Sequence, residues 1–155
     1  MIAPPRLSAD QKHAVSASEQ VVDATRRHWA LPYNSGAASL ARCMTQKVLE
    51  TWGIDQVFVE DALLVVSELV TNAVEHALPP VTLYLAQSVP GPGLLRVAVG
   101  DGGPSPHAGK WVASCESGEH GRGRIIVNAL AVSQGVRTVT GNRTQHWADL
   151  PVIFE

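Results

Sequence analysis

The segment from Asp55 to Ala77 is predicted to form one long amphipathic helix. Asp55 is suited to cap its first turn, and the Pro79-Pro80 pair cannot continue it. At about 100° per residue, the apolar side chains fall on one continuous stripe. Because such a stripe is buried only against another layer, we expect it to face a sheet. The stripe consists of Val59, Leu63, Val66, Val70, Ala73 and Ala77.

Around this helix, the sequence predicts two hairpins and two further helices. Alternating apolar and polar residues are typical of half-buried strands. A segment rich in glycine, proline and serine at 102–123 separates the hairpins, and we interpret it as a long loop. The order of elements predicts an α+β fold with helices on one face of a sheet. The elements are expected at 29–33 (strand), Asn34 or Ser35 to Trp52 (helix), 81–87 and 94–99 (strands joined by a PGPG turn at 90–93), 123–130 (helix), and 132–139 and 146–154 (strands).

The composition is that of an ordinary globular domain. Of 155 residues, 45% are hydrophobic and 17% are charged, and we expect a flexible tail at 1–20 followed by one domain at 21–155. The formal net charge of −2 argues against direct nucleic-acid binding, and no apolar run of about 18 residues could span a membrane. No signal peptide is evident, and Cys43 and Cys115 are too few for a disulfide framework. A cytoplasmic protein is predicted.

The polar side of the long helix carries three residues at four-residue spacing: Glu68, Asn72 and His76. No Lys or Arg occurs between positions 47 and 96, although surface helices commonly place them four residues from an acid. A carboxylate and an amide oxygen one turn apart suit Mg²⁺ that also binds phosphates. A merely solvated helix face is the alternative interpretation.

Two glycine-rich segments follow in the chain. GDGGPSP at 100–106 places Asp101 after a strand, where it can accept a hydrogen bond from an exocyclic amine while Gly103 lets a flat ring approach. An ordinary Asp-Gly turn is the alternative. SGEHGRGRIIVNAL at 117–130 places glycines before an apolar helix, whose free amides can bind an anion. This second segment is neither a Walker A loop nor a dinucleotide-binding glycine motif.

In this order the three segments resemble the GHKL ATP-binding (Bergerat) fold of histidine kinases and gyrase-type ATPases. ELVTNAVEH is similar to its N-box, VGDGG to its first glycine box and GRGRIIVNAL to its second. The likeness is greatest to the single-domain anti-sigma-factor serine kinases of bacteria, and it extends from Trp29 to Pro151. It implies a two-layer α+β sandwich with a mixed, mostly antiparallel sheet and helices on one face.

The resemblance implies a role for each matching position. Glu68 would be the general base for the attacking hydroxyl, Asn72 would hold Mg²⁺, and His76 would lie near the phosphates of ATP. Asp101 would accept a hydrogen bond from the adenine amine, and Gly103 would make room for the ring. The loop from 104 to 120 would cover ATP. The positions expected to bind phosphate are Gly121, Arg122 and Gly123, with the charge of Arg124 added to that of Arg122.

Two positions depart from the pattern of that group. A threonine that supports the adenine-binding aspartate is expected shortly before the last tryptophan, Trp147. Counted from Trp147, this position holds Gln145, whereas Thr144 falls one place early; Gln145 could donate to Asp101 instead. The second departure is that no lysine follows His120, the last residue of the loop.

Three hypotheses for the function remain open. The first is a Mg-ATP-dependent serine kinase that phosphorylates a small anti-anti-sigma-type protein, also binds a sigma factor, and forms a homodimer, as the resemblance implies. The second is an ATP-binding regulator that sequesters its partner without transferring phosphate. The third is an unrelated α+β domain with coincidental motifs. A hydrolase triad or a zinc site has little support, because the histidines are scattered and no nucleophile elbow is present.

Overall fold

A computed structural model describes residues 25–88, 93–106 and 119–154, with side chains from 124 onward in the last range. The expected tail at 1–20, most of the PGPG turn and the greater part of the loop at 102–123 lie outside the described residues. Eight helices and strands are described in these ranges. They are β1 (Arg26–Leu31), α1 (Ala37–Thr51), α2 (Gln56–His76), β2 (Val81–Gln87), β3 (Leu94–Asp101), α3 (Glu119–Leu130), β4 (Ser133–Thr138) and β5 (Thr144–Pro151).

The strands form one sheet in the order β1-β2-β3-β5-β4, and every neighbouring pair is antiparallel. Both predicted hairpins, β2–β3 and β4–β5, are therefore present, and the predicted α+β fold is confirmed. α2 contacts β2, β3 and β5 on one face of the sheet, with α1 and α3 on its flanks. That face carries the buried side chains of Leu83, Leu85, Val97, Val99, Ala148 and Leu150.

Helix α2 begins and ends close to its predicted limits. The Asp55 carboxylate accepts a hydrogen bond of 3.0 Å from the Val57 amide, which is the expected N-cap. The predicted stripe is buried, apart from Leu63, which is partly buried against the core. Among the described residues, no helix is long and apolar enough to cross a bilayer.

The start of α1 differs from the prediction. Asn34 and Ser35 do not cap the helix: Gly36 is its N-cap and no side chain bonds there. Instead, the Asn34 side-chain oxygen accepts a hydrogen bond of 2.8 Å from the Gly36 amide, and its carbonyl accepts one from Ala37. Asparagine stabilises turns in this way, so Asn34 forms the turn before the helix rather than its first cap.

The ends of β3 and β5 matter most for function. β3 continues two residues beyond the predicted limit and includes Asp101, and β5 begins at Thr144 rather than His146. In the register of this pair, Asp101 lies opposite Thr144 and Val99 lies opposite His146. Because side chains alternate along a strand, Asp101, Thr144 and His146 share the helix-covered face.

The opposite face of the sheet carries a polar and aromatic cluster. The Arg96 guanidinium donates two hydrogen bonds of 2.7 and 2.8 Å to the Asp149 carboxylate and lies 4.4 Å from the centroid of the Trp147 ring. The hydrogen bonds from Arg96 lower the pKa of Asp149 below its usual value, and the same bonds raise the pKa of Arg96. This cluster ties the first half of β3 to the second half of β5, away from the strand ends that hold Asp101.

Candidate nucleotide-binding site

Asp101 is a buried carboxylate at the end of β3, with only 3% of its surface exposed. Its Oδ1 accepts two hydrogen bonds, one of 2.8 Å from the Gly103 amide and one of 2.6 Å from the Thr144 hydroxyl. Its Oδ2 is also buried, yet no described residue hydrogen-bonds to it. Leaving a buried acceptor unpaired is costly, and such groups are uncommon in folded proteins. The Asp101 side chain is therefore held in place through Oδ1, and Oδ2 can still accept a hydrogen bond from a ligand.

The structure places Thr144, not Gln145, against Asp101. Gln145 lies on the opposite face of the sheet, where its side-chain oxygen accepts a hydrogen bond of 2.9 Å from Arg137. The spacing of the resembled group, counted back from Trp147, leads to Gln145, but positions 145 and 147 share a face, and that face is not the one that carries Asp101. Strand alternation favours Thr144 only once the register with β3 shows that Asp101 and Trp147 lie on opposite faces of the sheet.

We expect Thr144→Val to weaken ATP binding about fivefold, because it removes the hydroxyl that fixes the orientation of Asp101 and changes the side-chain shape little. The matched control is Gln145→Leu, on the neighbouring position of the same strand, which should leave the affinity unchanged. Isothermal titration of both variants with Mg-ATP measures the difference. Equal losses in the two variants would refute the assignment of Thr144.

The C-terminal end of α2 is bonded to the first glycine segment through the backbone. The Leu78 amide donates to the Gly103 carbonyl at 2.8 Å, and the Gly102 amide donates to the Leu78 carbonyl. One residue pair further, the Ser105 amide donates to the carbonyl of His76 at 3.0 Å. The helix that carries the polar residues and the strand end that carries Asp101 are thus joined directly.

Gly103 occupies a position that other residues do not tolerate. Its φ is +103°, and a Cβ atom there would lie 2.4 Å from the carbonyl oxygen of Asn142. Both observations require glycine, because L-residues are strained at this φ and a backbone oxygen cannot move aside easily. The amide of Gly103 is at the same time a donor to Asp101, so its conformation also positions the carboxylate.

Gly103→Ala is expected to lower the free energy of unfolding by roughly 3 kcal/mol, the sum of backbone strain and overlap with Asn142. Gly141→Ala is the matched control. Its φ is +73°, but nothing lies within 4 Å of the added Cβ, so only the strain of about 1 kcal/mol applies. Urea unfolding measures the loss of unfolding free energy in each variant. Equal losses would show that the overlap with Asn142 does not destabilise Gly103→Ala.

The predicted polar side of α2 is half-buried in the structure. Glu68, Asn72 and His76 all have intermediate exposure, and Nε2 of His76 lies 3.8 Å from the Glu75 carboxylate. Within the described ranges, no three His, Cys, Asp or Glu side chains cluster as a metal site would require. Mg²⁺ in proteins commonly has few protein ligands, and phosphate groups and water supply the others.

The second glycine segment lies at the start of α3, which begins at Glu119 instead of the expected Gly123. Gly121, Arg122 and Gly123 are therefore within the helix and not before it. Only the first turn of a helix has amides without an intrahelical acceptor, so Gly121 is the best placed of the three to offer one. Arg124, the residue after Gly123, is exposed. α3 contacts α2, which brings this segment to the same side of the sheet as the predicted N-box.

Comparison with known proteins identifies the family of the chain. A family model described as a histidine kinase-like ATPase domain matches residues 31–146, a range that includes α2, Asp101 and both glycine segments. The chain belongs to this family. The resemblance to the GHKL fold is thus confirmed, and membership of the family implies a role that involves ATP.

Two solved structures are similar to the chain. The RsbU and RsbW domains of Rv1364c from Mycobacterium tuberculosis match with a TM-score of 0.62 at 21% identity, over 82% of this chain and 32% of that one. The SiaB-SiaC complex from Pseudomonas aeruginosa matches with a TM-score of 0.57 at 11% identity, over 90% of this chain and 97% of that one. The chain spans about a third of the length of the first of these. At such identities the likeness shows the fold alone, and no curated protein matches the chain.

Proposed function

We propose that the protein is a Mg-ATP-dependent serine kinase of the anti-sigma-factor type, acting on a small anti-anti-sigma-type protein. One observation carries the ATP-binding part of this proposal. Asp101 Oδ2 is a buried acceptor without a described partner, held in place by Gly103 and Thr144 in a member of an ATPase family. The 6-amino group of adenine is a donor that would satisfy this oxygen.

The residues of α2 supply the phosphate end of the proposed site. Asn72 would contribute an amide oxygen to Mg²⁺, and His76 would lie beside the phosphates at the end of the helix. Mg²⁺ bound to ATP neutralises charge on the phosphates. Gly121 and its neighbours at the start of α3 would donate backbone amides to the phosphates, and the guanidinium groups of Arg122 and Arg124 would add positive charge.

Glu68 is the proposed general base. Its carboxylate lies one helical turn before Asn72, so a serine hydroxyl held beside the phosphates would be within reach of both turns. Glu68 would orient that hydroxyl and accept its proton as the oxygen attacks the γ-phosphorus. The phosphoserine and ADP are the products, and Glu68 then returns the proton to water.

The partner, the oligomeric state and the cellular location are also proposals. The resemblance to anti-sigma-factor kinases favours an anti-anti-sigma-type substrate, a sigma factor as a second partner, a homodimer and a cytoplasmic location. The two similar structures support a protein partner: one contains an RsbW domain, and the other is a complex of SiaB with a second protein, SiaC.

A second candidate function is an ATP-binding regulator that sequesters its partner without transferring phosphate. The likeness to the SiaB-SiaC complex favours it, because that match covers 97% of a chain that is bound to a partner protein. Both candidates require ATP binding and a protein partner, and they differ only in the transfer step.

Thermal unfolding with and without Mg-ATP tests the shared part. A ligand at 100 times its Kd stabilises a folded protein by about 2.7 kcal/mol, which raises the midpoint measurably. Incubation with a candidate partner and γ-labelled ATP then distinguishes the two functions. Label on a partner serine supports the kinase, and partner binding without label supports the regulator. No thermal shift with ATP refutes both.

A further inference from the structure

His146 is a second polar side chain beside Asp101, and neither the N-box nor the glycine boxes include it. Its Nε2 lies 3.8 Å from Asp101 Oδ2, the oxygen that no described residue bonds. The His146 side chain is 41% exposed, whereas the Asp101 side chain is 1% exposed. The imidazole therefore reaches solvent next to a carboxylate that does not.

The separation of 3.8 Å is too long for a hydrogen bond between the two groups. Both can therefore bind a third molecule that lies against them. A carboxylate oxygen only accepts hydrogen bonds, while a neutral imidazole with its hydrogen on Nε2 donates one. Within the described part of the chain, Asp101 has no Lys or Arg partner that could take the place of this donor.

The order of these groups matches one kind of purine. Adenine presents a donor, the 6-amino group, next to an acceptor, ring nitrogen N1. Guanine presents the reverse order on the same edge, an oxygen acceptor at position 6 and an N1–H donor. An acceptor at Asp101 Oδ2 beside a donor at His146 Nε2 is complementary to adenine and opposed to guanine.

We propose that His146 determines base specificity by donating a hydrogen bond from Nε2 to N1 of adenine, while Asp101 Oδ2 accepts one from the 6-amino group. This proposal rests on the proposed function, because it requires ATP to bind at Asp101. It assigns to His146 a contact that Thr144 does not make, since the Thr144 hydroxyl is already bonded to Oδ1. A histidine that only fills space beside Asp101 would affect all adenine nucleotides equally.

The test compares ATP with 1-deaza-ATP, in which N1 is replaced by C–H and the 6-amino group is retained. Isothermal titration should show that the wild-type protein binds ATP about two- to tenfold more tightly, the range expected for one neutral hydrogen bond. In His146→Ala this preference should disappear because ATP affinity falls to that of the analogue. His146→Gln keeps a side-chain donor and should retain part of the preference.

His28→Ala is the matched control, because His28 lies on β1, stacked at 5.9 Å on the Tyr84 ring on the opposite face of the sheet. This variant should keep the wild-type ratio of affinities. A wild-type protein that binds both nucleotides equally, or a His146→Ala variant that keeps the wild-type ratio, overturns the role of His146 and leaves ATP binding intact. A wild-type protein that binds neither nucleotide refutes the proposed function itself.

Discussion

Glu68→Gln is expected to slow phosphoryl transfer to serine by about 10²- to 10⁴-fold, the usual contribution of a positioned general base. Glutamine keeps the size of the side chain but cannot take the proton of the attacking hydroxyl. His76 is at the end of α2 that is bonded to the glycine segment. Glu68 lies about 12 Å from His76 along the helix axis. ATP affinity should therefore change by no more than about twofold. Single-turnover labelling of the partner and titration with Mg-ATP measure the two effects separately.

Asp61→Asn is the matched control for this substitution. Asp61 lies two turns earlier on the same side of α2, is also half-buried, and loses the same charge when it is replaced. It should retain wild-type transfer. If Glu68→Gln transfers phosphate as fast as the wild type, Glu68 completes the pocket without acting as a base. If both variants lose transfer equally, the negative charge of the helix matters, not the position of one carboxylate.

Asp101→Asn should weaken ATP binding by about a hundredfold. The asparagine oxygen can still accept from Gly103 and Thr144, so the amide nitrogen takes the place of Oδ2. A donor would then meet the donor of the adenine 6-amino group. The loss combines a charged hydrogen bond, typically about 1.5–3 kcal/mol, with the unpaired groups left on both sides. Isothermal titration of Mg-ATP measures it.

The same variant is not expected to unfold more easily. In the ligand-free protein, Asp101 is buried and no described residue bonds its Oδ2, and an amide is less costly to bury than a carboxylate. The thermal midpoint without ATP should be equal to that of the wild type or higher. Residues that bind ligands are often destabilising in this way. A lower midpoint together with weak binding would indicate a folding defect, and the binding loss could not then be attributed to the lost acceptor.

The sequence predicted the fold well where local signals agree with each other. Asp55 and the two prolines fix the ends of α2, and alternation fixes the hairpins and the strand that leads to Asp101. The predicted start of α1 was wrong because Asn34 is equally suited to a helix cap and to a turn. The hydrogen bond from the Gly36 amide places Asn34 in the turn.

The support of Asp101 could not be predicted by counting from one residue. Thr144 and Gln145 are neighbours in sequence but lie on opposite faces of β5, and which face meets Asp101 depends on the register with β3. That register is a tertiary property. His146 was missed for the same reason, because it comes close to Asp101 only through the pairing of the two strands.

The backbone hydrogen bonds between the end of α2 and the segment after β3 set the spacing between the two halves of the proposed site. Leu78, Gly102 and Gly103 are bonded as neighbouring strands would be, so the end of α2 and the carboxylate of Asp101 form one rigid unit before any ligand arrives. A molecule that spans both ends must have the right length, because the protein cannot adjust that distance without breaking these bonds. The entropy of ordering these residues is already lost on folding, so binding would not have to supply it again.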